Sequence, residues 1–283
     1  MVLLLTACTS SSPSATAPTR PSFTPQAGDH ELTLSSGGSE RRYRVHAPAG
    51  YDGSKPVPVV IGLHFYPGDG QGMQEMIGLD AHADKAGFLT VYPDGVNGAF
   101  NALVCCGQQD DVAFVKALVD ELKSVWKADP DRIYLTGISN GGDMSLKLAV
   151  ELPDTFAAIA PVSGGFIGTK ASEASYAPKS PVSVLTFIGG QDRYASQFDS
   201  GIQAWQQRAG CTPSAPAAVP GPAMATRTVA PCEDGSEVVV YRLPKMGHSW
   251  PGAQQGQLAD ADAGVAATDL IWEFFAAHPR LRG

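Results

Sequence analysis

No stretch of this 283-residue chain carries the roughly 20 consecutive apolar residues that a helix needs to cross a bilayer, which excludes an α-helical membrane span. Positive charge is scarce as well. Lys and Arg total 20 against 28 Asp and Glu, and the net charge of -8, with a pI near 5.2, would repel nucleic acid and anionic membrane surfaces. A neutral or soluble substrate fits that balance. Cysteine is limited to five residues, and no second Cys or His pair stands near them at ligand spacing, so a zinc site is not expected. There is no internal repeat. Apolar material, by contrast, is ample: 43% of residues are hydrophobic and 17% charged, which suffices for a large core. The length alone allows one large α/β domain or two small ones.

The amino terminus holds Leu5-Thr6-Ala7-Cys8, which looks like a lipobox whose cysteine is lipidated and becomes the mature first residue. No Lys or Arg precedes it, and Val2 to Leu5 is shorter than the roughly 7 to 15 apolar residues of a signal core. The expectation is a lipoprotein-type signal segment over residues 1–8, truncated, with the true start upstream. Residues 9–30 are mostly Ser, Thr, Pro and Ala, a composition that suits a disordered tether. Folded structure is expected from Glu31, as one domain over residues 31–283.

Cys211 and Cys232 bracket a Pro/Ala-rich loop with little means of holding its own shape. A disulfide closing it is expected, worth about 3 kcal/mol on loop-entropy grounds, and it would agree with an oxidising compartment. Cys105 and Cys106 are adjacent, which leaves a vicinal disulfide, two thiols or separate partners open.

Residues 31–34 and 41–46 alternate apolar and polar side chains around a Ser/Gly-rich turn, the pattern of an antiparallel hairpin. Val57 to Leu63 is nearly all apolar, as expected of a strand covered on both faces. A helix over 73–86 and a strand over 88–92 follow. Next, Val112, Phe114, Val115, Leu118, Val119, Leu122, Val125 and Trp126 form a helical stripe, with Asp110 placed as N-cap. Strands are expected at 132–136, 156–160, 182–187 and 237–241, and helices at 143–151, 197–208 and 262–277. This alternation implies a mostly parallel central sheet with helices on both faces.

Gly137-Ile138-Ser139-Asn140-Gly141 joins the strand at 132–136 to the next helix, the context of a nucleophile elbow. The flanking glycines keep side chains off the neighbouring backbone where strand reverses into helix. Ser139 is therefore the candidate nucleophile. A serine hydroxyl needs a histidine to take its proton and a carboxylate to orient that histidine. His248 lies in a Gly/Pro-rich loop after the last strand, whereas His30, His46, His82 and His278 are poorly placed and His64 reads as structural. Asp192 follows the strand at 182–187, with Asp199 as its rival in the next helix. The order Ser139, Asp192, His248 is that of α/β-hydrolase triads. The oxyanion donors are expected from the N–H of Asn140 and of Tyr66, or else Phe65, because Pro67 has no N–H.

With these residues in place, the chain from about Glu31 to Phe275 resembles the polyhydroxybutyrate depolymerase-like esterases, in the lipoprotein branch close to feruloyl and acetylxylan esterases. The likeness rests on Leu63-His64, Tyr92-Pro93-Asp94-Gly95, Asn101 with Cys105-Cys106-Gly107, Asp110-Asp111-Val112, residues 137–142 and residues 247–252. The resemblance implies an α/β-hydrolase fold and hydrolysis of carboxylic esters through a serine triad, without metal or cofactor. Phe65 departs from it, since the family usually has Gly after the His. Asp143 reads as a favourable first-turn carboxylate, and Asp110 and Asp111 as helix-capping residues. Trp250 could stack on a bound acyl group or sugar, or pack under the histidine loop.

The expectation is therefore an exported serine esterase acting on a small or polymeric ester, in the extracellular space or cell envelope, touching membrane only through Cys8. Its rivals are an acyltransferase with a sugar acceptor and a tethered binding lipoprotein disabled by Phe65. The natural ester and the oligomeric state are not encoded in any motif.

Overall fold

The computed structural model describes residues 23–221 and 223–281; the lipobox and Cys8 lie outside them. A hairpin of β1 (Gly28–Ser36) and β2 (Ser39–Ala47) comes first. Then follow β3 (Val57–Leu63), α1 (Gly70–Ile77), α2 (Asp80–Ala86), β4 (Leu89–Pro93), α3 (Asp111–Ser124), β5 (Ala128–Ile138) and α4 (Asn140–Glu151). The second half comprises β6 (Ala158–Val162), α5 (Thr169–Ser172), β7 (Ser183–Gly189), α6 (Ala195–Arg208), β8 (Ala217–Ala218), β9 (Thr226–Pro231), β10 (Glu237–Leu243), β11 (Trp250–Pro251), β12 (Ala259–Asp260) and α7 (Ala267–Ala277).

Ten strands form one sheet in the order β1-β2-β4-β3-β5-β6-β7-β10-β9-β8. From β4 to β10 every pairing is parallel, and antiparallel pairs close both edges. Successive strand residues point to opposite faces, so Val59, Ile61 and Leu63 pack with Phe114, Leu118, Ile202 and Trp205 from α3 and α6. Val60 and Tyr134 face the other way, toward Met73, Ile77, Ile271 and Phe275 from α1 and α7. This is the doubly covered α/β sheet with the amino-terminal hairpin that the alternation of elements predicts.

Several boundaries differ from expectation for local reasons. The helix expected over 73–86 is two helices, because Gly78 takes a left-handed φ of 60° and caps α1. The final helix starts at Ala267 and not at 262, since Gly264, at φ 80°, interrupts it. Order begins before Glu31: β1 starts at Gly28, and the Phe23 ring lies 5.4 Å from that of Trp126. The Cys211–Cys232 disulfide is present, but the loop it closes is not shapeless, as β8 and β9 inside it extend the sheet.

Asp110 caps α3 as expected, accepting the Ala113 N–H at 3.0 Å. Asp111 is not a cap. Its buried carboxyl takes the Arg41 guanidinium on one oxygen and the Asn101 N–H on the other, both at 2.6 Å. This ties β2 to the loop between β4 and α3.

Candidate active site

The turn between β5 and α4 holds Ser139 at φ 55° and ψ -120°, a backbone region that non-glycine residues enter only under constraint. Steric packing supplies that constraint. A Cβ on Gly141 would lie 2.6 Å from the Leu63 carbonyl carbon and 2.7 Å from the His64 oxygen, and one on Gly137 would lie 2.5 Å from the Gly141 carbonyl carbon. The elbow can thus close against β3 only because both flanking residues lack side chains.

Ser139 Oγ stands 2.8 Å from His248 Nε2, and His248 Nδ1 stands 2.6 Å from Asp192 Oδ2. Asp192 follows β7 and His248 follows β10, neighbouring parallel strands whose carboxyl ends bring both loops beside the elbow. The second Asp192 oxygen accepts the Tyr194 N–H at 2.9 Å, which orients the carboxyl toward the ring. Asp199 instead forms an ion pair with Arg242. The three residues singled out from the sequence are therefore brought together.

The loop carrying His248 is held from two sides that sequence reading did not reveal. Ser163 Oγ donates to the Ser249 carbonyl at 3.0 Å, and the Trp250 indole N–H donates to Thr268 Oγ1 at 3.1 Å. Trp250 is consequently buried at 1% exposure and does not line the cleft, so the stacking role considered for it is corrected to packing. His64 is structural: Nδ1 donates to the Phe65 carbonyl at 2.7 Å and Nε2 accepts the Gly95 N–H at 2.9 Å. Burial lowers its pKa, which suits a neutral ring with one donor and one acceptor nitrogen.

A cleft of about 250 Å³ opens over Ser139, lined among others by Phe65, Tyr66, Asn140, Tyr194, Phe198 and His248. Among the described residues, the backbone N–H groups of Asn140, Phe65 and Tyr66 have no hydrogen-bond acceptor, so all three remain candidates for the oxyanion. The Asn140 side chain, by contrast, is fully engaged. It accepts the Phe100 N–H at 2.8 Å and donates to the carbonyls of Phe100 at 3.0 Å and Cys105 at 2.9 Å. Cys105 and Cys106 are bonded to each other and also line the cleft, which resolves the alternatives left open for them.

Asp143 occupies the first turn of α4, as expected, but its carboxyl reaches across to the Gly165 N–H at 2.7 Å. Burial pushes it up to about 7, against the opposing pull of that N–H and of His248. The ligand atoms of Asp29, His46 and Asp80 gather within 4.8 Å of one another. They lie on β1, β2 and α2, away from Ser139, and already bond to protein: His46 to Asp29, and Asp80 to Tyr92.

The profile of the family described as "Esterase PHB depolymerase" matches residues 42–178. NocK of Nocardia uniformis subsp. tsuyamanensis, whose name places it among esterases, is 31% identical over 306 residues, covering 91% of this chain and 87% of NocK. The chain belongs to the PHB-depolymerase esterase family. Feruloyl esterase C of Emericella nidulans is 33% identical over 144 residues, 48% of this chain and 52% of that enzyme. Among solved structures, an acetyl xylan esterase from Aspergillus awamori superposes with a TM-score of 0.65 over 88% of this esterase and 100% of that chain. Its 15% identity makes that a likeness of α/β-hydrolase fold.

Proposed function

We propose that this esterase hydrolyses carboxylic esters through an acyl-enzyme on Ser139. The observation that carries the reading is the continuous chain from Ser139 Oγ to His248 at 2.8 Å and on to Asp192 at 2.6 Å, built at a strained elbow. His248 Nε2 takes the hydroxyl proton as Oγ attacks the ester carbonyl. Asp192 holds Nδ1 protonated and stabilises the imidazolium that forms. The oxyanion lies against the N–H of Asn140 and that of Tyr66 or Phe65. His248 then gives its proton to the departing alcohol, and the same ring activates the water that releases the acid.

Feruloyl, acetyl and hydroxyalkanoate esters are the acyl classes that the family resemblance suggests. The two disulfides favour an oxidising compartment, and with Leu5-Thr6-Ala7-Cys8 they support an exported protein anchored by lipid at Cys8. Ser139 within hydrogen-bonding reach of His248 favours a working site over one disabled by Phe65, which is largely buried where it lines the cleft.

A fluorophosphonate probe tests the nucleophile: folded wild type should label and Ser139→Ala should not. Labelling of the variant would move the nucleophile elsewhere, and an unlabelled wild type would end the serine-hydrolase reading. Hydrolysis of p-nitrophenyl esters of graded length, beside methyl ferulate and acetylated xylan, then ranks the acyl classes. Product partition with an added sugar acceptor separates hydrolysis from acyl transfer.

A further inference from the structure

Asp143 supplies the only carboxyl among the residues lining the cleft, and the mechanism proposed above does not use it. It stands one turn beyond Ser139, its N–H bonded to the Ser139 carbonyl at 2.9 Å, and only 8% of the residue is exposed. Oδ1 accepts the Gly165 N–H. Oδ2 has no hydrogen-bond partner among the described residues, although the carboxyl borders the same cavity as Ser139 and His248. An ionised carboxylate offers about four acceptor positions, so withdrawing it from water for a single hydrogen bond is unfavourable.

Among the described residues, no side chain of the wall bonds to it, and the Arg193 guanidinium lies over the Tyr194 ring, 4.7 Å from its centroid. Asn140 directs its amide to Phe100 and Cys105, and Ser163 donates its hydroxyl to Ser249. Ile167 and Phe198 contribute apolar surface to the same cleft. The facing loop approaches by backbone alone: a Cβ on Gly164 would sit 3.0 Å from the Asp143 nitrogen, and one on Gly165 would sit 3.0 Å from a Phe198 ring carbon. A carboxyl with a purely structural role is normally paired on both oxygens or left in solvent. This one has an acceptor oxygen left without a hydrogen-bond partner among the described residues, on a residue that lines the cleft.

We infer that Asp143 forms a specificity subsite that hydrogen-bonds a hydroxyl group carried by the ester, on either its acid or its alcohol part. A hydroxyl suits the site better than an ammonium does. It donates to the ionised carboxyl and accepts from the protonated one, whereas an ammonium would have to be desolvated against Ile167 and Phe198. The inference rests on the ester-hydrolase reading, and its test separates the two.

Turnover is followed by pH-stat at pH 8 with methyl butanoate, its 2-hydroxy and 3-hydroxy derivatives and methyl 3-oxobutanoate, and with propyl and 2,3-dihydroxypropyl butanoate. Wild type is expected to favour at least one hydroxylated ester over its plain partner by about tenfold in kcat/KM, the value of a hydrogen bond to a charged group. Asp143→Ala should bring that ratio close to one. Asp143→Asn, which keeps the volume and the Gly165 bond but offers an N–H, should shift preference from the hydroxy toward the oxo ester. A wild-type ratio near one, a ratio that survives Asp143→Ala, or an equal loss on all esters overturns the subsite. Folded wild type that hydrolyses none of the esters, plain ones included, overturns the hydrolase reading, and the subsite with it.

Discussion

The Asp192 carboxyl meets the His248 ring at 2.6 Å across 56 residues of sequence, with the carboxyl side chain fully buried and the ring 26% exposed. The buried partner fixes the orientation of the one that must face substrate. Because Asp192 is also held by the Tyr194 N–H, the carboxyl has one direction in which to accept the hydrogen bond from the imidazole N–H.

Asp192→Asn should therefore leave the fold intact and lower kcat by about 10⁴-fold, because an amide can favour the wrong ring tautomer. Steady-state kinetics on a p-nitrophenyl ester, with circular dichroism as the folding control, checks this. A loss of less than tenfold would remove Asp192 from the triad.

Gly141→Ala should be disruptive out of proportion to one methyl group. Its Cβ meets the backbone of Leu63 and His64, which cannot move without shifting β3, so the elbow must open and carry Ser139 away from His248. A destabilisation of roughly 2 to 4 kcal/mol is expected in denaturant titration, with activity falling further than stability accounts for. Gly72→Ala, where the nearest atom to an added Cβ is 3.4 Å away, is the mild control.

Asn140→Ala should remove the brace between the elbow and the disulfide loop, leaving the Phe100 N–H without its acceptor, while the Phe100 and Cys105 carbonyls keep backbone N–H partners. A stability loss of about 1 to 3 kcal/mol follows from the buried Phe100 donor alone. Ala keeps the backbone N–H that is the proposed oxyanion donor but loses the brace that positions it, so kcat should fall while KM changes little. A change confined to KM would argue against that role.

Asp143 also links stability to pH. Burial raises its carboxyl to about 7, so the folded protein holds the proton more tightly than the unfolded chain does, where Asp titrates near about 3.9. The contribution is complete below about pH 4 and is lost as pH rises through about 7. Asp143→Asn lacks this loss. The difference in stability between variant and wild type should move in the variant's favour by an amount on the order of a few kcal/mol from pH 4 to pH 8. Paired urea titrations at the two pH values measure it, and a pH-independent difference would contradict the raised value.

Much of the site is legible in the sequence because the controlling physics is local. Glycines at 137 and 141 around Ser139 announce a turn no other residue tolerates, and the placement of Asp192 and His248 after strands follows from hydrophobic patterning. Boundaries fared worse where a single glycine intervened, as Gly78 splitting the helix expected over 73–86 shows. The short strands β8 and β9 escaped notice because a Pro/Ala-rich segment has no strand pattern and is organised by pairing with β10.

The sequence by itself determined the alternation of the main strands and helices, the elbow and the three residues now within hydrogen-bonding reach, since backbone sterics and side-chain period act over a few positions. Tertiary structure alone decided what depends on neighbours far along the chain. It buried Trp250 against Thr268, paired Asp111 with Arg41 and set Asn140 against the Cys105 carbonyl. It also brought Asp143 to the wall of the cleft. Whether a polar side chain caps a helix, braces a loop or meets substrate is settled by desolvation and by which partner packing delivers, and neither is encoded at the residue's own position.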